Sequence, residues 1–157
     1  MRTLSTAAEF EGRRLNDLEY RALNTALQYF RDAAPKHNAD EEESLFPRLR
    51  QTGSPEVASA LSQLDELEGE HRWAEALHSD VEQMGVKYLS EGSLLSGEVE
   101  KFRTTIRDLR SKYEKHIRLE DQVIFPLATR VLTEHEKSAI ANEMAGRRKV
   151  QLITENF

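Results

Sequence analysis

The 157-residue chain contains no cysteine. Thiolate zinc sites, iron–sulfur clusters and disulfides are thereby excluded, and any bound metal must be held by histidine and carboxylate. Glycine and proline are scarce, at seven and four residues, and β-rich runs are absent, as suits a helical protein. No stretch approaches the roughly 18 consecutive apolar residues of a membrane span. The opening MRTLSTAAEFEGRR has no apolar core of signal-peptide length, so a cytoplasmic protein is expected. Positive charge is also short: the net charge is -6 and the pI about 5.5, which argues against a nucleic-acid or anionic-membrane partner. The basic run Arg147, Arg148, Lys149 is too brief to overturn that. What is present is 38% hydrophobic and 32% charged residues, in a length that fits one domain with a real core.

Periodicity along the chain predicts an all-α, antiparallel helical bundle of three long helices and a shorter C-terminal helix. Residues 1–12 form a leader, with a short helix expected around Thr6 to Phe10. Leu23, Phe30, His37 and Ser44 then recur every seven residues, with Leu27, Ala34 and Glu41 interleaved. They form one stripe over residues 13–50. Pro35 interrupts it, leaving two readings: one long helix bent outward, or two helices broken there. Gln51 to Pro55 is a turn in which Ser54 caps a helix with Pro55 in its first position. That helix, 55–86, carries Val57, Leu64, His71 and His78 at heptad spacing. A third, 97–131, presents Phe102, Ile106, Leu109, Tyr113, His116 and Glu120 on its inner stripe. Thr133 and Glu136 form a capping box that opens a last helix, 134–149.

One phrase occurs twice. HNADEEESLFP, from His37, returns as HIRLEDQVIFP, from His116. Both read His-x3-Glu-x4-Phe-Pro, giving His37, Glu41, Phe46, Pro47 and His116, Glu120, Phe125, Pro126. Residues four apart on a helix differ by about 40° in direction and about 6 Å in height, so each pair aims an imidazole and a carboxylate into one interior. Counting along antiparallel helices puts His71 level with both pairs. One such pair is weak evidence, because helices use this spacing for ordinary contacts. Two in the same frame, level with a third inward histidine, point to a nitrogen-and-oxygen metal site. Three histidines and two carboxylates exceed what one tetrahedral zinc needs and suffice for two ions bridged by Glu41 and Glu120. Phe46 and Phe125 project away from their histidines on straight helices and are read as packing outside the site.

The phrases HNADEEESLFPRL, the Glu70-His71 dipeptide and YEKHIRLEDQVIFPLA resemble the hemerythrin-like, HHE cation-binding domains. The resemblance implies a helical bundle holding a non-haem diiron centre, with His37, Glu41, His71, His116 and Glu120 as ligands and the two glutamates bridging. Manganese or zinc is the alternative metal. It further implies a small diatomic or oxidant as ligand: the protein binds or senses oxygen, nitric oxide or peroxide, or handles iron. Three departures stand out. The family usually supplies another histidine from an earlier helix, whereas no histidine precedes His37, and Tyr20 lies too far along the helix to replace it. A water-filled position, or a homodimer completing the bundle, would answer that. Oxygen carriers pair two histidines four apart on the middle helix, whereas here His71 and His78 are seven apart with Glu75 between. Finally, Asp121 competes with Glu120 as the partner of His116; Glu120 keeps the internal repeat.

Glu75, His78 and Asp121 are therefore secondary ligand candidates. His135 is read as solvent-exposed, and Tyr113 as packing beside His116. Two rival functions remain: a diiron enzyme of ferroxidase or peroxidase type, favoured by Glu-x-x-His at Glu68–His71 and Glu75–His78, and a metal-free helical dimerisation module. The balance leans away from an enzyme.

Overall fold

Proline decides where the helices of this protein widen. The computed structural model describes residues 13–149, so the helix expected around Thr6 to Phe10 lies outside the described residues. Asn16 opens the first helical stretch with a capping box closed by Glu19. Backbone then runs helically through α1 (Asp17–Gln28), a wide π turn (Tyr29–Ala33), α2 (Ala34–Ala39), a second wide turn (Asp40–Leu45) and α3 (Phe46–Gln51). Pro35 therefore does not break the chain into two helices, and it is solvent-exposed. The short α4 (Pro55–Ala58) follows, with Ser54 accepting from the Glu56 amide, and then α5 (Leu61–Glu91). Next come α6 (Ser96–Leu119), a third wide turn (Glu120–Ile124) and α7 (Phe125–Val131). The last helix, α8 (Glu134–Arg147), starts with the Thr133–Glu136 capping box. The middle helix outruns the expected residue 86 because the turn signal that stops it is Gly92, at φ 76°, a conformation only glycine adopts without cost. Among the described residues every regular element is helical.

All three wide turns end two residues before a proline: Ala33 before Pro35, Leu45 before Pro47, Ile124 before Pro126. A proline inside an α-helix lacks an amide donor and its ring strikes the carbonyl four residues back, at a cost of about 3 kcal/mol or more. Shifting the repeat from four to five residues moves that carbonyl aside. The helix is thus kept continuous at the expense of one loose turn. In the second wide turn the Ser44 carbonyl is capped by the Arg48 guanidinium at 2.8 Å.

The chain groups into two compact units, each assembled from separated segments. The first contains the segment up to Ala33 and Gly69–Ile117; its core is Leu27, Phe30, Val81, Tyr88, Phe102, Ile106 and Leu109. Gly85 matters there, since a Cβ at that position would stand 2.7 Å from Leu27 Cδ2. Any side chain there would force Leu27 to move from its place in the core. The second unit contains Ala34–Glu68 and the segment from Arg118. Phe46, Leu49, Leu64, Leu67, Ile124 and Leu127 form its core. Phe46, expected to pack outside the site, is fully buried in this core, on the phase set by the wide turn preceding it.

Candidate metal centre

Histidine and glutamate side chains that could serve as metal ligands lie in both units. In the second unit, His37 sits in α2 and Glu41 one turn on, inside the wide turn. Glu120 begins the corresponding wide turn after α6. His37 Nε2 lies 3.9 Å from Glu41 Oε1 and 3.5 Å from Glu120 Oε1. Ligand atoms of the three residues fall within 4.8 Å of one another. Both carboxylates are 3% exposed, while the His37 side chain is 39% exposed. Two carboxylates buried this deeply repel each other and carry a desolvation cost that a cation between them removes.

In the first unit, His71 and His116 are each 4% exposed and their Nε2 atoms stand 3.1 Å apart. The other nitrogen of His116, Nδ1, faces Glu70 Oε2 at 3.0 Å. A carboxylate accepts only, so Nδ1 carries the proton and Nε2 presents a lone pair. The two Nε2 atoms are at hydrogen-bond distance, so without a metal His71 donates to the lone pair of His116. Glu70 is steadied from its other oxygen by Lys112 Nζ at 3.2 Å. A cavity of about 10 Å³, lined by Glu70, His71, Trp73, Tyr113 and His116, opens beside the imidazoles; that is room for about one water-sized molecule. Glu120 follows His116 by one turn, where α6 passes into the third wide turn.

Other sequence candidates go elsewhere. His78 shares a hydrogen bond with the Tyr113 hydroxyl at 2.6 Å and stacks on Phe30 at 4.4 Å between ring centres. Tyr113 thus does more than pack. Burial pushes the His78 imidazole down to about 4 from its ordinary 6.5. An unfolded His78 takes up a proton near pH 6.5, and the folded one resists until about pH 4. Its contribution to stability is therefore complete above pH 6.5 and is lost as the pH falls through that window. Replacement by Gln should flatten the dependence of the urea midpoint on pH between those limits; an unaltered slope would contradict this. Glu75, Asp121 and His135 are exposed, and Tyr20 is 47% exposed. Among rival partners for His116, Glu120 is the inward carboxylate and Asp121 the outward one. Sequence reasoning missed Glu70 as a support for His116; its signal was the dipeptide itself, which puts a carboxylate beside an inward histidine.

A buried set of imidazoles and glutamates in an all-α protein carries the donor chemistry of a cation site, and the family comparison agrees: the model for the hemerythrin HHE cation binding domain matches residues 2–128. The chain belongs to that family. An uncharacterized protein of Haemophilus influenzae is 30% identical to this hemerythrin-family chain over 137 residues, covering 87% of it and 71% of the relative. No solved structure matches it significantly. As an HHE domain the protein carries oxygen and nitrogen donors on helix-borne side chains, buried except at the half-buried His37. Neutral imidazole with carboxylate accepts iron, manganese or zinc, and the donors present fit such an ion. Among the described residues no helix is long and apolar enough to cross a membrane.

Proposed function

We propose that this HHE domain holds a non-haem diiron centre on His37, Glu41, His71, His116 and Glu120, with the two glutamates bridging, and uses it to bind or sense a small diatomic or an oxidant. The observation that carries this reading is the pairing of buried carboxylates with imidazoles, one of which is oriented by a supporting carboxylate. When bound, iron in such a ligand set supplies reversible electron transfer and a coordination position for a small ligand. Glu70 holds His116 in the tautomer that leaves a lone pair on Nε2. Lys112 holds Glu70 in place. Burial of His71 and His116 keeps bulk water from their nitrogens, and the cavity beside them has room for about one water-sized molecule.

One observation favours a second reading, turnover by a diiron enzyme. The Tyr113 hydroxyl is hydrogen-bonded to His78, and its ring meets that of His116 edge-on with centres 6.3 Å apart; a phenol so placed would pass its proton to His78 while iron oxidised by peroxide took its electron. Repeated consumption of hydrogen peroxide by the iron-loaded protein would select this reading over simple binding.

Because the ligands are assembled only in the folded protein, iron should stabilise it by mass action. With free Fe²⁺ at 100 times its dissociation constant the gain is about 2.7 kcal/mol, or about 5–10 °C in melting temperature for a chain of this size. Anaerobic melting with and without a chelator measures it. A chelator-insensitive melt of protein purified with iron would count against a resident metal and favour a metal-free helical module.

A further inference from the structure

We propose that Pro47 and Pro126 are positioning residues for the metal carboxylates: each enforces the wide turn that sets its own Glu, six residues earlier, in the site. The inference rests on the ligand roles proposed above for Glu41 and Glu120, and adds what holds them.

The repeated phrase explains itself once the hydrogen bonds are followed. In the first copy the Phe46 amide donates to the Glu41 carbonyl, five residues back. In the second copy the Phe125 amide donates to the Glu120 carbonyl, again five back. Both wide-turn bonds therefore close on the ligand residue itself. The next residue is proline in each copy, and it has no amide with which to draw the helix back to the four-residue repeat. Its ring also pushes on the carbonyl four residues earlier, Glu43 in one copy and Gln122 in the other. Glu, Phe and Pro are thus three parts of one device, and their fixed spacing of five and one follows from it.

The consequence for direction is large. On an unbroken α-helix Glu41 and Phe46 would point about 140° apart; one extra residue in the turn cuts this to about 40°. The structure has both side chains buried, Glu41 among the ligand atoms and Phe46 in the second unit's core. Without the wide turn, one of the two would have to leave. Pro35 supplies an internal control. Its wide turn, Tyr29–Ala33, ends the same two residues before the proline, but none of the ligand candidates lies in it. Proline is the feature common to all three turns, and a metal carboxylate belongs to only two.

The test compares Pro35→Ala, Pro47→Ala and Pro126→Ala with the natural chain, using Co²⁺ as a redox-silent probe under titration calorimetry and visible absorption, alongside melting of the metal-free proteins. Alanine relieves a proline within a helix, so none of the three should melt lower when metal-free. Pro47→Ala and Pro126→Ala should nevertheless bind Co²⁺ about tenfold or more weakly, and Pro35→Ala should bind as the natural chain does. A role in stability alone cannot make affinity fall while the melting temperature holds or rises. In Pro47→Ala, the amide that the substitution restores to the backbone should bond to the Glu43 carbonyl, a coupling visible by NMR. Equal Co²⁺ affinity in all four proteins would overturn this inference and leave the ligand assignment standing. Loss of helical structure in both Pro47→Ala and Pro126→Ala would overturn it too, by showing that these prolines serve the fold. A natural chain that takes up neither Co²⁺ nor Fe²⁺ would instead sink the metal reading beneath it.

Discussion

Glu120→Ala should weaken iron binding about a hundredfold or more while Asp121→Ala changes it less than about twofold. The two carboxylates are neighbours in sequence and differ in direction by about 100° on a helix. Glu120 is 3% exposed and its oxygen lies 3.5 Å from His37 Nε2, whereas Asp121 faces solvent. Loss of a bridging ligand removes charge from both ions of a pair and should exceed the tenfold to hundredfold that supporting residues typically contribute. Removing a carboxylate from a buried, metal-free cluster also lessens repulsion there, so the metal-free variant should melt no lower than the natural protein. That split, affinity down and metal-free stability kept, separates a ligand from a packing residue. Metal titration of the two variants side by side checks it. The reverse order would transfer the ligand role to Asp121.

The largest loss of stability is expected from Arg147→Ala/Arg148→Ala. Asp40, the neighbour of Glu41, has a side chain only 4% exposed. Arg147 reaches its Oδ1 at 3.0 Å and Arg148 its Oδ2 at 2.5 Å. Arg147 also donates to Ser44 Oγ at 2.9 Å and to Glu43 at 3.0 Å. Four hydrogen bonds from the end of α8 thus clasp the wide turn that carries Glu41. Stripping both guanidinium groups leaves a carboxylate buried without its counter-charges, which typically costs about 3–5 kcal/mol. For this chain length the melting temperature should drop by about 10 °C or more. Replacing Asp40 with Asn in the same protein should restore part of that loss, because the stranded charge is then gone. Thermal melts of the double and triple variants measure both effects. A double variant as stable as the natural chain would show that the clasp contributes little.

That pair of arginines illustrates where sequence reasoning stops. Within a run of three basic residues they could be weighed only as a nucleic-acid footprint, for which the run is too short. Their partner Asp40 lies 107 and 108 positions away, and nothing local in Arg147 or Arg148 points to it. The helical class, by contrast, is written in short-range spacing: apolar residues at helical intervals, few breakers, and the Ser54 and Thr133 caps, each of which depends on neighbours within a few residues. The doubled His-x3-Glu was legible for the same reason, since residues four apart share a helix face whatever the tertiary fold.

Prolines were harder. A proline inside an apolar stripe states that the ordinary helix fails there, but whether the chain breaks, bends or widens depends on what packs around it. Pro35, Pro47 and Pro126 all widen it, and Phe46, expected to pack outside the site, takes its place in a core on the shifted phase. Phe125, likewise expected to pack outside the site, is 37% exposed. Glu70 fell between the two cases. Its place beside His71 was visible, while the histidine that it supports, His116, lies 46 residues further on.

Metal analysis of the natural chain, grown with ample iron and purified under reducing, anaerobic conditions, together with its absorption spectrum, decides whether iron resides in this protein. Binding of about two iron atoms per chain is expected, with charge-transfer bands that change when oxygen or nitric oxide is admitted. Protein that retains no iron, and whose spectrum shows only aromatic absorption before and after either gas, would show that these residues hold no iron centre.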